Sequence, residues 1–409
     1  MQYKTGLSSA ALLAAAVSAQ SNSSNNVPSS CSFSAVATAT SQADLDRYSQ
    51  CRKLVGDLVV TGELGSASLA NVQELDGSLT IAGATKMVNF AADSLKSISN
   101  QLNLTGLTVL ETASFGSLEK VKSIDLTTLP ALTSLVTKLQ TADNIIIADT
   151  GLESIEGFEA LDTVQIFNVN NNRGLSVVNS KLKSVTNALE VLYNGKDAQV
   201  TFDNLIWSNN ITLRDVSSAS FKNLEKVNSS LGFFSNDVDN IRFPKLTNVG
   251  GSLSIVENNK LTDVNFSNLT NIGGALVVAN NTALRQIKGF NNLQTIGSAL
   301  VVRGDFGRLD LEKLKTIRGG ADVQTTSANY TCDSLADLQK SGGIQGDKFV
   351  CKNGASSTSV SLGTATSATA SGSSRSSSSS RSSSSNAAPD SLANASFMGA
   401  IAAVALALL

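Results

Sequence analysis

Short segments in which aliphatic and polar residues alternate recur at a nearly constant spacing along this chain. Val249 to Val264 reads VGGSLSIVENNKLTDV, and Ile272 to Ile287 reads IGGALVVANNTALRQI, so nearly the same pattern occurs twice in succession. A repeat of roughly 20 to 24 residues indicates a solenoid, because single units cannot bury their apolar side and stacked units share one core. The predicted strands begin at or near Leu58, Leu79, Leu102, Ile124, Ile145, Ile166, Leu189, Ile211, Leu231, Leu253, Leu276, Leu300 and Ala321.

The alternation also predicts which side chains face the core. In the segment LSI, Leu253 and Ile255 point inward and Ser254 points outward. A second turn of several coils places asparagine before an inward leucine, and asparagine suits such corners because it tolerates left-handed backbone. These pairs are Asn172 with Leu175, Asn258 with Leu261 and Asn281 with Leu284. The predicted fold is mainly β, a parallel β-solenoid of about 13 coils that extends roughly 60 Å at ~4.8 Å per coil.

The first residues are predicted to be a signal peptide, residues 1–19. The apolar run from Leu7 to Val17 follows one basic residue, and small residues before position 20 place the cleavage after Ala19. The run is shorter than the ~20 residues that a membrane span needs. A buried N-terminal helix is the alternative.

The last residues are predicted to be a glycosylphosphatidylinositol (GPI) attachment signal. Small residues at 386–388 precede a polar spacer at 389–396 and an apolar tail, FMGAIAAVALALL, at 397–409. In such a signal the tail is removed and a glycolipid takes its place. We predict attachment at Asn386, with Ser385 as the nearest rival, and removal of residues 387–409. A marginal tail anchor is the alternative.

Residues 354–386 are predicted to be a disordered stalk. Most positions from Ser371 to Ser385 are serine, and such a segment has too little apolar surface to offset its ordering entropy. Stalks rich in Ser and Thr are candidates for O-glycosylation, although a plain flexible linker has the same composition. The folded domain is therefore predicted to occupy residues 20–353.

The four cysteines fall as two close pairs, one at each end of the repeat region. In a secreted chain this spacing favours two local disulfides, Cys31–Cys51 and Cys332–Cys351, although four cysteines allow three connectivities. We interpret both as caps, because the open end of a solenoid exposes its core and its strand edges. A zinc site is the alternative, and it is disfavoured because the chain has no His and no C-x-x-C motif.

Composition narrows the function classes. The chain carries 31 basic and 33 acidic residues with no basic stripe, which argues against nucleic acid as a partner. The lack of His excludes Ser-His-Asp and Cys-His catalysis within this chain. Catalysis by carboxylates alone remains open. We find no motif that predicts a cofactor or a metal ion.

Asn-x-Ser/Thr sequons predict N-glycosylation of a secreted chain, and used sites must lie on the surface. Asn394 also fits the pattern but lies in the piece predicted to be removed. The candidate sites are Asn22, Asn103, Asn210, Asn228, Asn265, Asn268, Asn280 and Asn329.

Paired-glycine turns before short strands resemble the receptor L-domain, a leucine-rich-repeat-like solenoid. Together with a Cys pair at each end, the Ser-rich stalk and the GPI signal, they resemble the fungal GPI-anchored glycoproteins of cell-wall organisation and sporulation. The resemblance covers most of the chain and offers no catalytic motif. It implies a non-enzymatic glycoprotein at the outer leaflet of the plasma membrane or in the cell wall. Its implied partners are the membrane, through the anchor, and cell-wall glucan or mannoproteins.

Some outward positions of the predicted strands are apolar, and an exposed apolar face can mark a binding surface. Our hypothesis is that the face around Phe167 and Phe234 contacts glycan or a wall partner; local packing under loops is the alternative.

Two other function classes stay open. One is an adhesin or receptor that binds a ligand. The other is a polysaccharide-active enzyme, for which Asp125 and Glu190 occupy similar outward positions, although they lie three coils apart. Asp149, Glu153 and Glu156 cluster in sequence and are interpreted as a solvated turn.

Overall fold

The computed structural model describes residues 27–155 and 158–359. The chain winds into a parallel β-solenoid of about 13 coils with a disulfide near each end, which confirms the predicted fold. The predicted signal peptide, Asn22, Glu156, Asn386 and the tail predicted to be removed lie outside the described residues, as does the predicted stalk beyond Ser359. Within the described part, no helix has the length and apolarity required to cross a bilayer.

Each coil contributes strands to up to three walls, and every strand pairing is parallel. The front wall carries the longest strands and continues into the third wall as one sheet of 22 strands. The front-wall strands are Ala37–Ala39, Leu58–Val60, Leu79–Ala82, Ser97–Thr105, Lys120–Leu129, Asn144–Thr150, Thr163–Asn170, Ser184–Leu192, Trp207–Arg214, Leu231–Phe234, Leu253–Val256, Leu276–Ala279, Leu300–Gly304, Ala321–Thr325 and Phe349–Lys352.

The other two walls are built from shorter strands. The second wall comprises Ser66–Ser68, Asn89–Ala91, Thr112–Ser114, Ser134–Val136, Ser154–Ile155, Val177–Asn179, Gln199–Thr201, Ser218–Ser220, Asn240–Arg242, Asp263–Asn265, Gln286–Ile287 and Arg308–Leu309. The third wall comprises Lys53–Val55, Glu74–Asp76, Lys226–Val227, Asn248–Val249, Asn271–Ile272, Thr295–Ile296 and Thr316–Ile317, together with the first residues of the longest front-wall strands. A 3-10 turn (Ser29–Cys31) and two helices (Gln42–Tyr48 and Asp333–Lys340) lie at the ends.

The front wall is stacked in register, so equivalent residues of successive coils lie side by side. Leu253 pairs with Leu231 and Leu276, and Leu276 pairs with Leu300. Their side chains and those two residues further on are buried in one continuous core. The predicted inward positions therefore hold, except that Phe167, not Ile166, pairs with Ile145 and occupies the inward row. The longest strands begin three to five residues before the predicted starts, at Ser97, Lys120, Thr163, Ser184 and Trp207.

The repeated Gly-Gly turns permit close stacking of the coils. A Cβ atom placed on Gly273 would lie 2.1 Å from the carbonyl oxygen of Gly250, and one on Gly297 would lie 2.1 Å from that of Gly273. Because both contacts are with backbone, no side-chain rearrangement relieves them. This turn therefore requires glycine, which explains why the two quoted segments begin alike.

A left-handed residue ends the front-wall strand in successive coils. This residue lies four positions after the first inward residue of the strand, and its φ is positive. It is glycine in some coils, such as Gly83 (67°), and another residue in others, such as Tyr193 (55°) and Glu257 (63°). An L-residue costs about 1–2 kcal/mol in this region, so the recurrence shows that the corner geometry is imposed by the stack.

The next residue at this corner forms a buried asparagine ladder. The backbone N–H of Asn236 donates to Oδ1 of Asn258 (3.0 Å), and the N–H of Asn258 donates to Oδ1 of Asn281 (2.9 Å). The Nδ2 group of Asn258 donates to the carbonyl oxygen of Phe233 (3.2 Å). Asn172 and Asn194 repeat the arrangement. These contacts satisfy backbone N–H and C=O groups at the corner that are not paired within either of the two adjoining walls.

A row of phenylalanines runs through the core beside the second wall. Phe202, Phe221, Phe243, Phe266 and Phe290 stack face to face in succession, with centroid separations of 5.2–5.8 Å. Each ring is at most 2% exposed. This row has no constant period in the sequence and was not predicted, because the interval between its members differs from one coil to the next.

Both ends of the solenoid are closed. At the N-terminal end, strand Ala37–Ala39 pairs with Leu58–Val60, and the short helix buries Leu45 against the core. At the C-terminal end, strand Phe349–Lys352 pairs with the last coil, and Leu335 of the second helix is buried. The disulfides are Cys31–Cys51 and Cys332–Cys351, which confirms the predicted pairing.

Candidate binding surface

The structure corrects the predicted orientation of Phe167. Its side chain is 1% exposed and lies in the core, where its ring packs edge to face on Phe202 at 5.5 Å. The prediction that Phe167 points outward is wrong because the strand register falls one residue later, at a bulge between Val164 and Ile166. Burying the larger ring stabilises this register and turns Asn168 outward.

Phe234 does occupy an outward position, since it pairs with Arg214 and Val256 on the outer side of the front wall. Its side chain is nevertheless 0% exposed, so it presents no open ring to a ligand. Other outward residues of the C-terminal coils are also buried: Thr212, Ser254, Val256, Val277, Ala279, Val301 and Asp322. The accessible side chains of the first outward row, which runs from Val59 to Asp322, therefore lie on the N-terminal and middle coils.

The middle coils carry polar outward residues in register. Asn103 pairs with Asp125, and Asn168 pairs with Glu190 in the same row. Asn170 lies two residues beyond Asn168 in the adjacent outward row. All five side chains are half-buried by their neighbours on the sheet. We call this set, Asn103, Asp125, Asn168, Asn170 and Glu190, the polar strip.

Hydrogen bonds fix the orientation of the polar strip at its C-terminal end. Nδ2 of Asn171 donates to Oδ1 of Asn170 (3.1 Å), and Nδ2 of Asn170 donates to Oδ1 of Asn168 (2.6 Å). Nδ2 of Asn168 then donates to Oε2 of Glu190 (2.7 Å). The hydroxyl of Thr127 donates to Asp125. Asp125, Asn168, Asn170 and Glu190 are thus held in place before any ligand binds.

Burial raises the pKa of the Glu190 carboxyl group above its ordinary value of 4.5. The next coil brings the Arg214 guanidinium over the ring of Tyr193, 4.9 Å from its centroid. Tyr193 is 41% exposed at the left-handed corner. The C-terminal end of the polar strip therefore combines amides and a carboxylate with a nearby cation and an aromatic ring.

The geometry does not assemble a catalytic carboxylate pair from the predicted residues. Asp125 pairs with Ile146, Ile146 with Asn168, and Asn168 with Glu190. Three steps of ~4.8 Å separate the two carboxylates by roughly 14 Å, beyond the ~5–10 Å that glycoside hydrolysis uses. In residues 27–155 and 158–359, no three His, Cys, Asp or Glu side chains are placed to hold a metal ion.

The glycosylation candidates that the structure describes differ in accessibility. Asn228, Asn268 and Asn329 are exposed, whereas Asn103, Asn210, Asn265 and Asn280 are half-buried. Oδ1 of Asn210 accepts the N–H of Ser230 (2.9 Å). Nδ2 of Asn228 donates to Asn209 (2.9 Å). Use of these sites stays a prediction.

The fold and this surface define a class of protein: a closed repeat protein that offers a long, rigid wall for contact with partners. No family model matches the chain, and no solved structure matches it. It is 51% identical over 325 residues to cell wall mannoprotein PST1 of Saccharomyces cerevisiae, covering 80% of this chain and 73% of that protein. It is 34% identical to cell surface GPI-anchored protein ECM33 of Candida albicans, covering 81% of each.

Sporulation-specific protein 2 of Saccharomyces cerevisiae is 32% identical over 323 residues, covering 78% of this chain and 64% of that protein. The chain therefore belongs to the fungal family of cell-wall mannoproteins, GPI-anchored cell-surface proteins and sporulation-specific proteins that these relatives represent. The family resemblance drawn from the repeat, the cysteines and the terminal signals is confirmed.

Proposed function

We propose that this protein is a GPI-anchored glycoprotein of the fungal cell surface that organises the cell wall by binding and spacing its components. The observation that carries the proposal is the 51% identity to a cell wall mannoprotein over 80% of the chain. The structure supports it, because a disulfide-closed solenoid suits the oxidising exterior of the cell and offers a continuous side wall.

The anchor and the stalk are inferred from sequence signals, nearly all of which lie outside the described residues. Residues 1–19 direct secretion, residues 354–386 form the stalk, and Asn386 receives the glycolipid when residues 387–409 are removed. Extended at ~3.3 Å per residue, a stalk of this length reaches at most about 110 Å. The anchor holds the protein on the outer leaflet of the plasma membrane, and the stalk lets the solenoid contact wall glucan or mannoproteins.

A role without catalysis is consistent with the chemistry available. The chain has no His, and its four cysteines are paired in disulfides. The two outward carboxylates considered for catalysis are too far apart to act on one bond. Binding therefore explains the polar strip better than chemistry does.

Fractionation of fungal cells that express the tagged protein tests the proposal. Phospholipase that cuts GPI anchors is applied first, and glucanase is applied to the residue. Release by phospholipase places the protein in the membrane, and release only by glucanase places it covalently in the wall. Recovery in neither fraction, or normal wall architecture after deletion of the gene, would contradict the proposed function.

A further inference from the structure

The polar strip lies in two outward rows whose positions repeat at the spacing of the coils. Its first outward row runs through Asn103, Asp125, Ile146, Asn168 and Glu190, with one residue from each coil. Neighbouring positions are ~4.8 Å apart, so these five coils provide a flat surface of roughly 19 Å. A surface of this shape fits an extended chain better than a compact ligand.

The chemistry of the row matches hydroxyl groups. Amides both donate and accept hydrogen bonds and carboxylates accept them, so together they satisfy hydroxyls that act in either direction. Ile146 lies between Asp125 and Asn168, and Ala148 lies between Thr127 and Asn170; both side chains are half-buried. They form an apolar floor against which the C–H groups of a sugar ring can pack.

The charge of the surface argues against an ionic polymer. Between Asn103 and Glu190 the first row carries two carboxylates and no Lys or Arg. A polyanion such as phosphorylated mannan would be repelled there. A polycation would need closely spaced acids, whereas these two lie three coils apart.

The orientation of the side chains reduces the entropy cost of binding. The hydrogen-bond chain from Asn171 through Asn170 and Asn168 to Glu190 holds three amides and a carboxylate in fixed positions. Side chains that are already ordered lose less conformational freedom when a ligand binds.

We propose that the polar strip binds a chain of a neutral polysaccharide, with Asn168 and Glu190 at the centre of the contact. This inference rests on the proposed function and identifies the surface and the ligand class through which it operates. The wall supplies neutral chains of several kinds, and β-1,3-glucan, chitin and unphosphorylated α-mannan share the hydroxyl chemistry described here.

Co-sedimentation tests the inference with the mature protein, released from cells by phospholipase. The probes are insoluble β-1,3-glucan, chitin and α-mannan coupled to beads, with uncoupled beads as the blank. We expect saturable binding to at least one of them. Asn168→Ala or Glu190→Ala should weaken it about tenfold, the effect of losing one hydrogen-bonding group. Asn240→Ala and Glu225→Ala, at exposed positions outside the front wall, are the matched controls and should bind normally.

Glu190→Gln separates a binding defect from a folding defect, because it keeps the shape of the side chain and removes its charge. At neutral pH its thermal midpoint should equal or exceed that of the wild type, because it removes a half-buried charge, while its affinity falls. The inference is overturned if the wild type sediments with none of the three polysaccharides, or if the strip variants bind as tightly as the controls. Binding only to wall proteins would likewise overturn it, yet leave the proposed surface function intact. A normal wall in the deletion strain would instead refute the proposed function itself.

Discussion

Replacing Gly273 by alanine tests whether the coils are stacked as closely as the structure shows. The added Cβ would lie 2.1 Å from the carbonyl oxygen of Gly250 and 2.9 Å from its carbonyl carbon, whereas ordinary contacts begin near 3.4 Å. One coil must therefore move by about 1 Å relative to the next, because the added atom meets backbone and not a flexible side chain, although the turn itself is exposed. The carbonyl of Gly273 itself faces Gly297 on the following coil, so the displacement is transmitted in both directions. Overpacking of this kind costs about 1–3 kcal/mol, and we expect the upper end of that range because backbone contacts backbone.

Gly65→Ala is the matched control, because no atom lies within 4 Å of a Cβ placed there. Its φ is not in the left-handed region, so alanine should be neutral or stabilise the fold by up to ~1 kcal/mol. Denaturant unfolding followed by far-ultraviolet circular dichroism measures both variants against the wild type. If Gly273→Ala unfolds within about 0.5 kcal/mol of the wild type, the range of an ordinary surface substitution, the reasoning about coil stacking is refuted.

The remaining predictions concern the asparagine ladder, the phenylalanine row and Glu190. Asn258→Ala should destabilise the protein by about 2–4 kcal/mol in the same unfolding assay, because it leaves the buried N–H of Asn236 without its acceptor. The control is Asn259→Ala at the exposed neighbouring position, which should change stability by less than ~0.5 kcal/mol. Phe243→Ala should cost about 3–5 kcal/mol, since the ring is 1% exposed and stacks on both sides; a loss below ~1 kcal/mol would contradict the stacked row. The pKa of Glu190 is raised in the folded state, so its contribution to stability is complete below its ordinary pKa of 4.5 and is lost as pH rises through the folded value. Carboxyl-carbon NMR should therefore show that Glu190 titrates above pH 4.5, and Glu190→Gln should remove its share of the pH dependence of stability. Titration of Glu190 at or below pH 4.5 would contradict its burial.

Alternation was sufficient to predict the front wall wherever polar and apolar residues alternate clearly, as in Leu253-Ser254-Ile255. It failed at Phe167 because Ile166 is also apolar, so the pattern fits two registers, and only the volume available in the core decides between them. Phe234 was correctly predicted to face outward, but its burial depends on tertiary contacts that periodicity does not encode.

Single residues per coil were harder to recognise than strands. The phenylalanine row was missed because the segments that separate its members vary in length, and the segment from Phe202 to Phe221 is clearly shorter than the one from Phe266 to Phe290. The corner asparagines were predicted as turn residues, whereas their hydrogen bonds to the adjacent coils could be identified only from the stack. Tyr193 and Glu257 give no sequence signal for positive φ, because neither residue type favours it.

The polar strip illustrates the same limit for function. Alternation placed Asp125 and Glu190 on the outer surface, whereas the one-residue register error concealed both Asn168 and Asn170. The hydrogen-bond chain that orders Asn170, Asn168 and Glu190 depends on that register and therefore emerged only from the structure.

We propose that an anchored, closed solenoid acts on the wall through the outer surface of its front wall. Chromosomal replacement by the double variant Asn168→Ala/Glu190→Ala, scored for growth on a dye that binds wall polysaccharide, tests this most directly. We predict that the variant reaches the cell surface in normal amount but leaves cells as sensitive as the deletion strain. Wild-type resistance in cells that carry the variant, beside a sensitive deletion strain, would contradict the claim.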